Sequence, residues 1–238
     1  MPTDPRFLLK YASRGRPQLF LQRLRDIAAT ITTDRYTVFV SFDEDDGTMT
    51  PDVIRAAANM RNVVVQGGMS ESKIHAINRG LEVMSGAFDI LICMSDDMRP
   101  ILQGWDQVIV QRTNEVWPGS WDWFAHFGDG AVGEKLATMS IVGRDYFLRD
   151  GYIYHPAYRS FSCDAEAMLV AMMRGRHAYF PEVLFRHEHP ANFGFPDDAT
   201  YQKNAGFIYS DAEIYFERRR HMFYVPDPVC VPFDPAGP

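Results

Sequence analysis

The stretch that most constrains this chain is residues 88–94, Phe-Asp-Ile-Leu-Ile-Cys-Met, a nearly unbroken apolar run that stops at Ser95-Asp96-Asp97. A run of that length without alternation fits a central strand covered on both faces. Residues 6–12, 36–42 and 62–66 read as earlier strands of the same kind. Helical signals lie between them. Pro17 opens a helix whose Leu19, Phe20, Leu24 and Ile27 recur at helical spacing. Thr50 and Pro51 predict an N-cap and first residue, and Ser70 caps a helix with Ile74, Ile77, Leu81 and Met84 on one stripe. Strands alternating with such helices predict an α/β fold with a mostly parallel sheet. In such sheets ligands bind outside the carboxyl ends of the strands, which here carry Ser13-Arg14, Asp43 and Asp96-Asp97.

The second half differs. All four tryptophans lie between Trp105 and Trp123. On a strand over residues 121–127, Trp121, Trp123, Ala125 and Phe127 would share one face. A strand over 138–142, a short helix near Asp145, a helix over 164–173, a strand over 177–185 and a helix over 198–220 follow. No repeat or linker divides the 238 residues, so a single domain is expected, with halves at about 1–100 and 101–220 and a Pro-rich tail over 221–238.

Composition removes several classes. Apolar residues make up 46% and charged residues 23%, which disfavours disorder. No apolar run reaches the roughly 18 residues of a membrane span, and the first residues lack a signal-peptide pattern. Against 24 basic residues stand 31 acidic ones, a net charge of −7 that disfavours a global grip on nucleic acid. Cys93, Cys163 and Cys230 are widely spaced and odd in number, which fits a reducing compartment and a cytoplasmic location.

Several residues could carry chemistry. Asp96 and Asp97 end a buried strand, where two carboxylates need donors or a cation, and carboxylates suit Mg²⁺ or Mn²⁺; the alternative is a helix cap. His187 and His189 are two apart at another strand end, so both imidazoles could face one site, or both could be ordinary turn residues. Asp164 and Glu166 open a helix as caps, or as a general base with its orienting partner. The turn Ser13-Arg14-Gly15-Arg16 could hold a phosphate through backbone N–H groups and guanidinium forks, and Lys73 and Asn78 ride the helix before the Asp-Asp strand.

Taken in order, these segments resemble the GT-A glycosyltransferases, in particular the family 2 type, over roughly residues 6–190. The opening turn is Ala12-Ser13-Arg14-Gly15-Arg16-Pro17. The acidic loop Phe42-Asp43-Glu44-Asp45-Asp46-Gly47 resembles the family's nucleobase-binding loop, with Asp43 the base contact and Asp45 the alternative. Lys73-Ile74-His75-Ala76-Ile77-Asn78-Arg79-Gly80 matches its Lys-x-x-Ala-x-Asn-x-Gly helix. Ser95-Asp96-Asp97 stands where the family has Asp-x-Asp, departing from it by Ser95 in first place.

The resemblance implies a GT-A fold: a Rossmann-like, mostly parallel sheet with helices on both faces and a small C-terminal α/β acceptor lobe. It implies Ala12, Ser13, Arg14, Arg16, Asp43, Asp45, Lys73, Asn78, Ser95 and Asp96 at a nucleotide sugar, with a UDP-sugar as the expected donor. It further implies Asp97 with His187 or His189 on Mn²⁺ or Mg²⁺, and Asp164 and Glu166 as the catalytic carboxylates of an inverting transfer. The acceptor is expected to be a glycan or a phage-type hydroxymethylated DNA base, which would place the protein in a host cytoplasm. Arg174, Arg176, Arg218, Arg219, Arg220 and the tryptophans are candidates for a basic, stacking groove on that DNA. A sugar nucleotidyltransferase, a metal-dependent phosphohydrolase and a non-catalytic nucleotide-sugar or carbohydrate-binding module are the competing readings.

Overall fold

The computed structural model describes residues 4–190 and 198–229. Cys230 and the last part of the expected Pro-rich tail lie outside the described residues. Strand β1 (Phe7–Ser13) is followed by α1 (Pro17–Thr30), β2 (Tyr36–Asp43), α2 (Pro51–Ala58), β3 (Val63–Gly68), α3 (Lys73–Asn78), α4 (Leu81–Met84) and β4 (Ile90–Met94). The second half adds β5 (Met98–Pro100), α5 (Trp105–Val116), β6 (Phe124–Gly128), β7 (Ile141–Gly143), α6 (Arg144–Asp150) and α7 (Cys163–Met173). Last come β8 (His177–Val183), β9 (Phe185–His187), α8 (Ala199–Ala205) and α9 (Ile208–Arg220).

One sheet runs β3-β2-β1-β4-β7-β6-β8, and a two-stranded ribbon pairs β5 with β9. The first four strands are parallel, β7 is antiparallel to both neighbours, and β6 and β8 are parallel again. The second-half strands therefore extend the first-half sheet. Strand alternation sorts the side chains into two cores. Phe7, Leu9, Tyr11, Val38, Val40, Ile90 and Ile92 pack with Phe20, Leu24 and Ile27 of α1 and Trp105 and Ile109 of α5. Leu8, Phe39, Leu91, Phe124 and Val142 face Ile74 and Ile77 of α3, Phe147 of α6 and Met168 of α7. Each large side chain so buried contributes about 1.5–3 kcal/mol.

The expected tryptophan face forms: Trp121, Trp123, Ala125 and Phe127 all enter the first core. Trp105 and Trp123 are fully buried and Trp121 nearly so, and none offers a ring face for stacking a base. Four of the five arginines expected to line a basic groove are engaged by carboxylates. Arg174 is bound by Asp150, Arg176 by Asp122, Arg218 by Glu166 and Arg220 by Glu217, so these cations already have carboxylate partners.

Two helices depart from expectation. The helix at residue 73 is capped by Ser72, whose hydroxyl accepts from His75 N at 3.1 Å, while Ser70 instead accepts from Arg79 Nη1 at 2.7 Å. That helix also breaks at Gly80, which has φ +81°. A β-carbon there would meet Gln66 Oε1 at 2.5 Å and the Phe39 ring at 2.7 Å, so backbone and sheet approach closely only with glycine. The helix expected over 198–220 divides into α8 and α9. Asp198 does start it, its carboxylate accepting from Thr200 N and Tyr201 N.

Candidate active site

The carboxyl ends of β1, β2 and β4 open into a cavity of about 270 Å³. Its walls come from residues 12–16, the β2 end with Asp43 and Asp46, residues 70–73 at the start of α3, the Ser95-Asp96-Asp97 turn, and α8. Ala12, Ser13, Arg14, Arg16, Asp43, Lys73, Ser95, Asp96 and Asp97 thus converge on one space. They do so because parallel strands end on one edge and each crossover starts there.

Asp96 and Asp97 are both buried and diverge in state. The Asp96 carboxyl accepts from Tyr11 Oη at 2.8 Å and Ser13 Oγ at 3.2 Å. Burial pushes it up to about 7, against the lowering pull of Tyr11 and Arg16, and the neighbouring Asp97 charge adds to the rise. For Asp97 burial also opposes ionisation, but His187, Lys73 and Ser95 together outweigh it and hold the carboxyl well below the usual carboxylate range. His187 Nε2 lies 3.6 Å from Asp97 Oδ2, and Ser95 Oγ donates to Asp97 Oδ1.

The ribbon creates this meeting. Met98 pairs with His187 across β5 and β9, so the residue after the Asp-Asp pair sits opposite the histidine. His187 Nδ1 is buried without a hydrogen-bond partner. His189 lies beyond β9, its ring 5.4 Å from that of His187 and 4.9 Å from Tyr201. Among the described residues no three His, Cys, Asp or Glu side chains are grouped to hold a metal, so of the expected alternatives it is His187 that the structure brings within reach of Asp97. Asp97 and His187 remain a two-donor fit. Cis ligands with bonds of about 2.1 Å stand roughly 3 Å apart, close to the observed gap, and one carboxylate with one imidazole suits Mn²⁺.

Around Asp43 the charges interlock. Arg14 Nη1 reaches Asp43 Oδ2 at 2.9 Å and grips Asp45 at 2.6 and 3.0 Å. Arg79 Nη1 lies 3.5 Å from Asp43 Oδ1 while its Nη2 donates to the Phe42 carbonyl at 2.7 Å. Asp45 itself does not line the cavity; it acts on Arg14. Beneath this cluster Lys10 is fully buried, donating to Ser41 Oγ and to the Arg79 carbonyl at 2.7 Å. Burial, with the Arg79 charge, pushes its amine down to about 7.

Three other expected residues stand apart from the cavity. Asn78 spends its amide on the 153–154 backbone, donating to the Tyr154 carbonyl at 2.7 Å and accepting from Ile153 N at 3.1 Å. Glu166 is buried and accepts from Tyr158 Oη at 2.6 Å and from Arg218 through Nε and Nη2 at 2.8 Å each, so it has no face toward the donor cavity. Asp164 stands in the first turn of α7, its Oδ1 accepting from Ala165 N at 2.9 Å. Burial raises its carboxyl, while Lys73 and His187 are near enough to pull it down in part.

Some site residues escape a sequence reading. Tyr201 of α8 donates to Asp97 Oδ2 at 2.7 Å, and the Arg16 guanidinium lies 4.2 Å over its ring while pairing with Asp198 at 2.6 Å. Asp46 accepts from Gly15 N at 2.8 Å. Tyr201 follows the last recognisable motif, and no spacing links it to Asp97.

No family model matches the chain, and no curated protein matches it. Solved structures do. The mannosyltransferase PcManGT from Pyrobaculum calidifontis, in complex with GDP-Man and Mn²⁺, is similar with a TM-score of 0.67 at 13% identity. The match covers 92% of this chain and 65% of that one, so this chain spans about two thirds of that enzyme's length. S. aureus TarS 1–349 is similar with a TM-score of 0.62 at 10% identity, over 91% of this chain and 74% of that one. The same TarS fragment in complex with UDP-GlcNAc gives 0.59 at 13% identity, over 76% and 58%. The fold is therefore the GT-A type, as the motifs imply. Among the described residues no helix is long and apolar enough to cross a membrane.

Proposed function

We propose that this chain is a glycosyltransferase that moves a sugar from a nucleoside diphosphate to an acceptor hydroxyl. The observation that carries the reading is the meeting of His187 with Asp97, which stands on the rim of the strand-end cavity. A divalent ion on these two donors would neutralise charge on the departing diphosphate. Arg16 and Lys73 add positive charge at the same rim. The first half, about residues 1–100, holds the donor together with α8 and His187, and the remainder of residues 101–220 receives the acceptor.

Asp43 favours uracil as the base. It is an acceptor flanked by the donors of Arg14 and Arg79, and the uracil edge presents a donor flanked by two acceptors. In the transfer, the acceptor oxygen bonds to the anomeric carbon as the bond to the diphosphate oxygen breaks. Asp164 takes the hydroxyl proton, a contribution of about 10² to 10⁴ in rate. A single such displacement inverts the anomeric centre. The raised Asp164 carboxyl is a stronger base than an exposed aspartate, which supports the assignment.

A panel of UDP- and GDP-sugars incubated with Mn²⁺ and no acceptor tests this reading. Slow, metal-dependent release of UDP is the expected result. Absence of metal-dependent release and of nucleotide binding across the panel would remove it.

A further inference from the structure

Behind the Asp97–His187 pair lies a buried ion pair whose side chains do not line the cavity. Arg23, in the middle of α1, and Glu188 are about as buried as the core around them, at 4% and 6% exposure. Arg23 Nη2 donates to Glu188 Oε2, Nη1 to Asp26 Oδ2 at 2.8 Å, and Nε to the Asp96 carbonyl at 3.0 Å. Glu188 Oε1 accepts from Arg99 Nε at 2.6 Å, and Glu188 N donates to the Asp97 carbonyl at 2.7 Å.

We propose that Arg23 and Glu188 are positioning residues that lock the Asp96-Asp97 turn to the His187-Glu188 segment, fixing the separation of the two metal donors. The proposal rests on the metal role assigned above. Its physical basis is what the pair does beyond neutralising charge. A buried ion pair adds little stability over a well-packed apolar pair of equal volume. An apolar pair, however, offers nothing to the Asp96 carbonyl. Arg23 forks between that carbonyl and the Glu188 carboxylate, and Glu188 through its own N–H takes the next carbonyl along. Two successive peptide units of the metal-binding turn are thus tied to the residue that follows the metal histidine. Side chains that orient metal ligands in this way change metal affinity by about 10- to 100-fold when removed.

The test measures Mn²⁺ binding directly, by the loss of the free-ion electron paramagnetic resonance signal in the presence of UDP, with no turnover involved. Three proteins are compared with the wild type: Asp97→Asn, Glu188→Gln, and the charge-free pair Arg23→Met with Glu188→Met. Thermal melting of each reports whether it folds. The expected result is a melting temperature for the charge-free pair close to that of the wild type, with Mn²⁺ affinity at least about tenfold weaker. Glu188→Gln keeps the size of the side chain, an oxygen for Arg23 and the Arg23 bond to the Asp96 carbonyl, and should lie between the wild type and the charge-free pair in affinity. Wild-type Mn²⁺ affinity in either folded variant would overturn the proposal. Failure of the wild type itself to bind Mn²⁺, or unchanged binding by Asp97→Asn, would instead retire the metal role and the positioning role with it.

Discussion

Arg218 closes on Glu166 from both sides, its Nε 2.8 Å from Oε2 and its Nη2 2.8 Å from Oε1. This pairing joins α9 to α7 and gives Glu166 a structural task. Glu166→Gln leaves a largely buried guanidinium without its counter-charge, and should cost about 3 kcal/mol of stability. The measurement is urea denaturation alongside sugar transfer at saturating donor. Stability should fall while transfer by the folded protein changes little; unchanged stability with lost transfer would return Glu166 to the chemistry.

Lys10 gives the fold a pH dependence of definite sign. Its amine is pushed down to about 7, whereas an exposed lysine titrates near 10.5. Between those values the unfolded chain holds a proton that the folded chain does not. Stability therefore rises with pH above 7, by about 1.4 kcal/mol per pH unit. Buried thiols and phenols, such as Cys93 raised to about 11, pull the other way once their unfolded forms ionise. Asp96, raised to about 7, also pulls the other way until it has ionised, so Lys10 is isolated by the difference between wild type and Lys10→Met from pH 7 to about 8.5. Denaturation across that range should show the rise in the wild type and a flatter profile in Lys10→Met. Parallel profiles would mean that Lys10 stays charged in the folded protein.

Asp164 separates binding from chemistry. Asp164→Asn should keep nucleotide affinity and lower transfer by about 10² or more. Because burial raises this carboxyl, the acid limb of the wild-type rate profile should lie above the ordinary aspartate range, with the rate falling as pH drops through it. An acid limb in the ordinary range, or a joint loss of fold and binding in the variant, would make Asp164 a cap.

How much of this was legible in the sequence follows from what each signal encodes. The apolar runs and capping residues foretell the four parallel strands, because period and punctuation are local properties. The strand-end rule then gathers Ser13, Asp43, Asp96 and Asp97 without further information. What stayed hidden is pairing at long range. Asn78 and Glu166 look like site residues in the motif, but the partners that claim them, the 153–154 backbone and Arg218, are distant in sequence. Arg23 reads as one more polar helix residue, and only the fold brings Glu188 to it. Asp97 was expected to share a site with His187 or His189, and the choice of His187 as the nearer partner comes from the pairing of β9 with β5.

The account's central claim is that Asp97 and His187 hold a divalent ion against a nucleoside diphosphate. Calorimetric titration of UDP into the protein, with Mn²⁺ and with chelator, and again with Asp97→Asn and His187→Ala, tests it most directly. The account predicts binding that weakens at least about tenfold without the ion and in each variant. Equal affinity with and without Mn²⁺, or full metal-dependent affinity in Asp97→Asn, would contradict it.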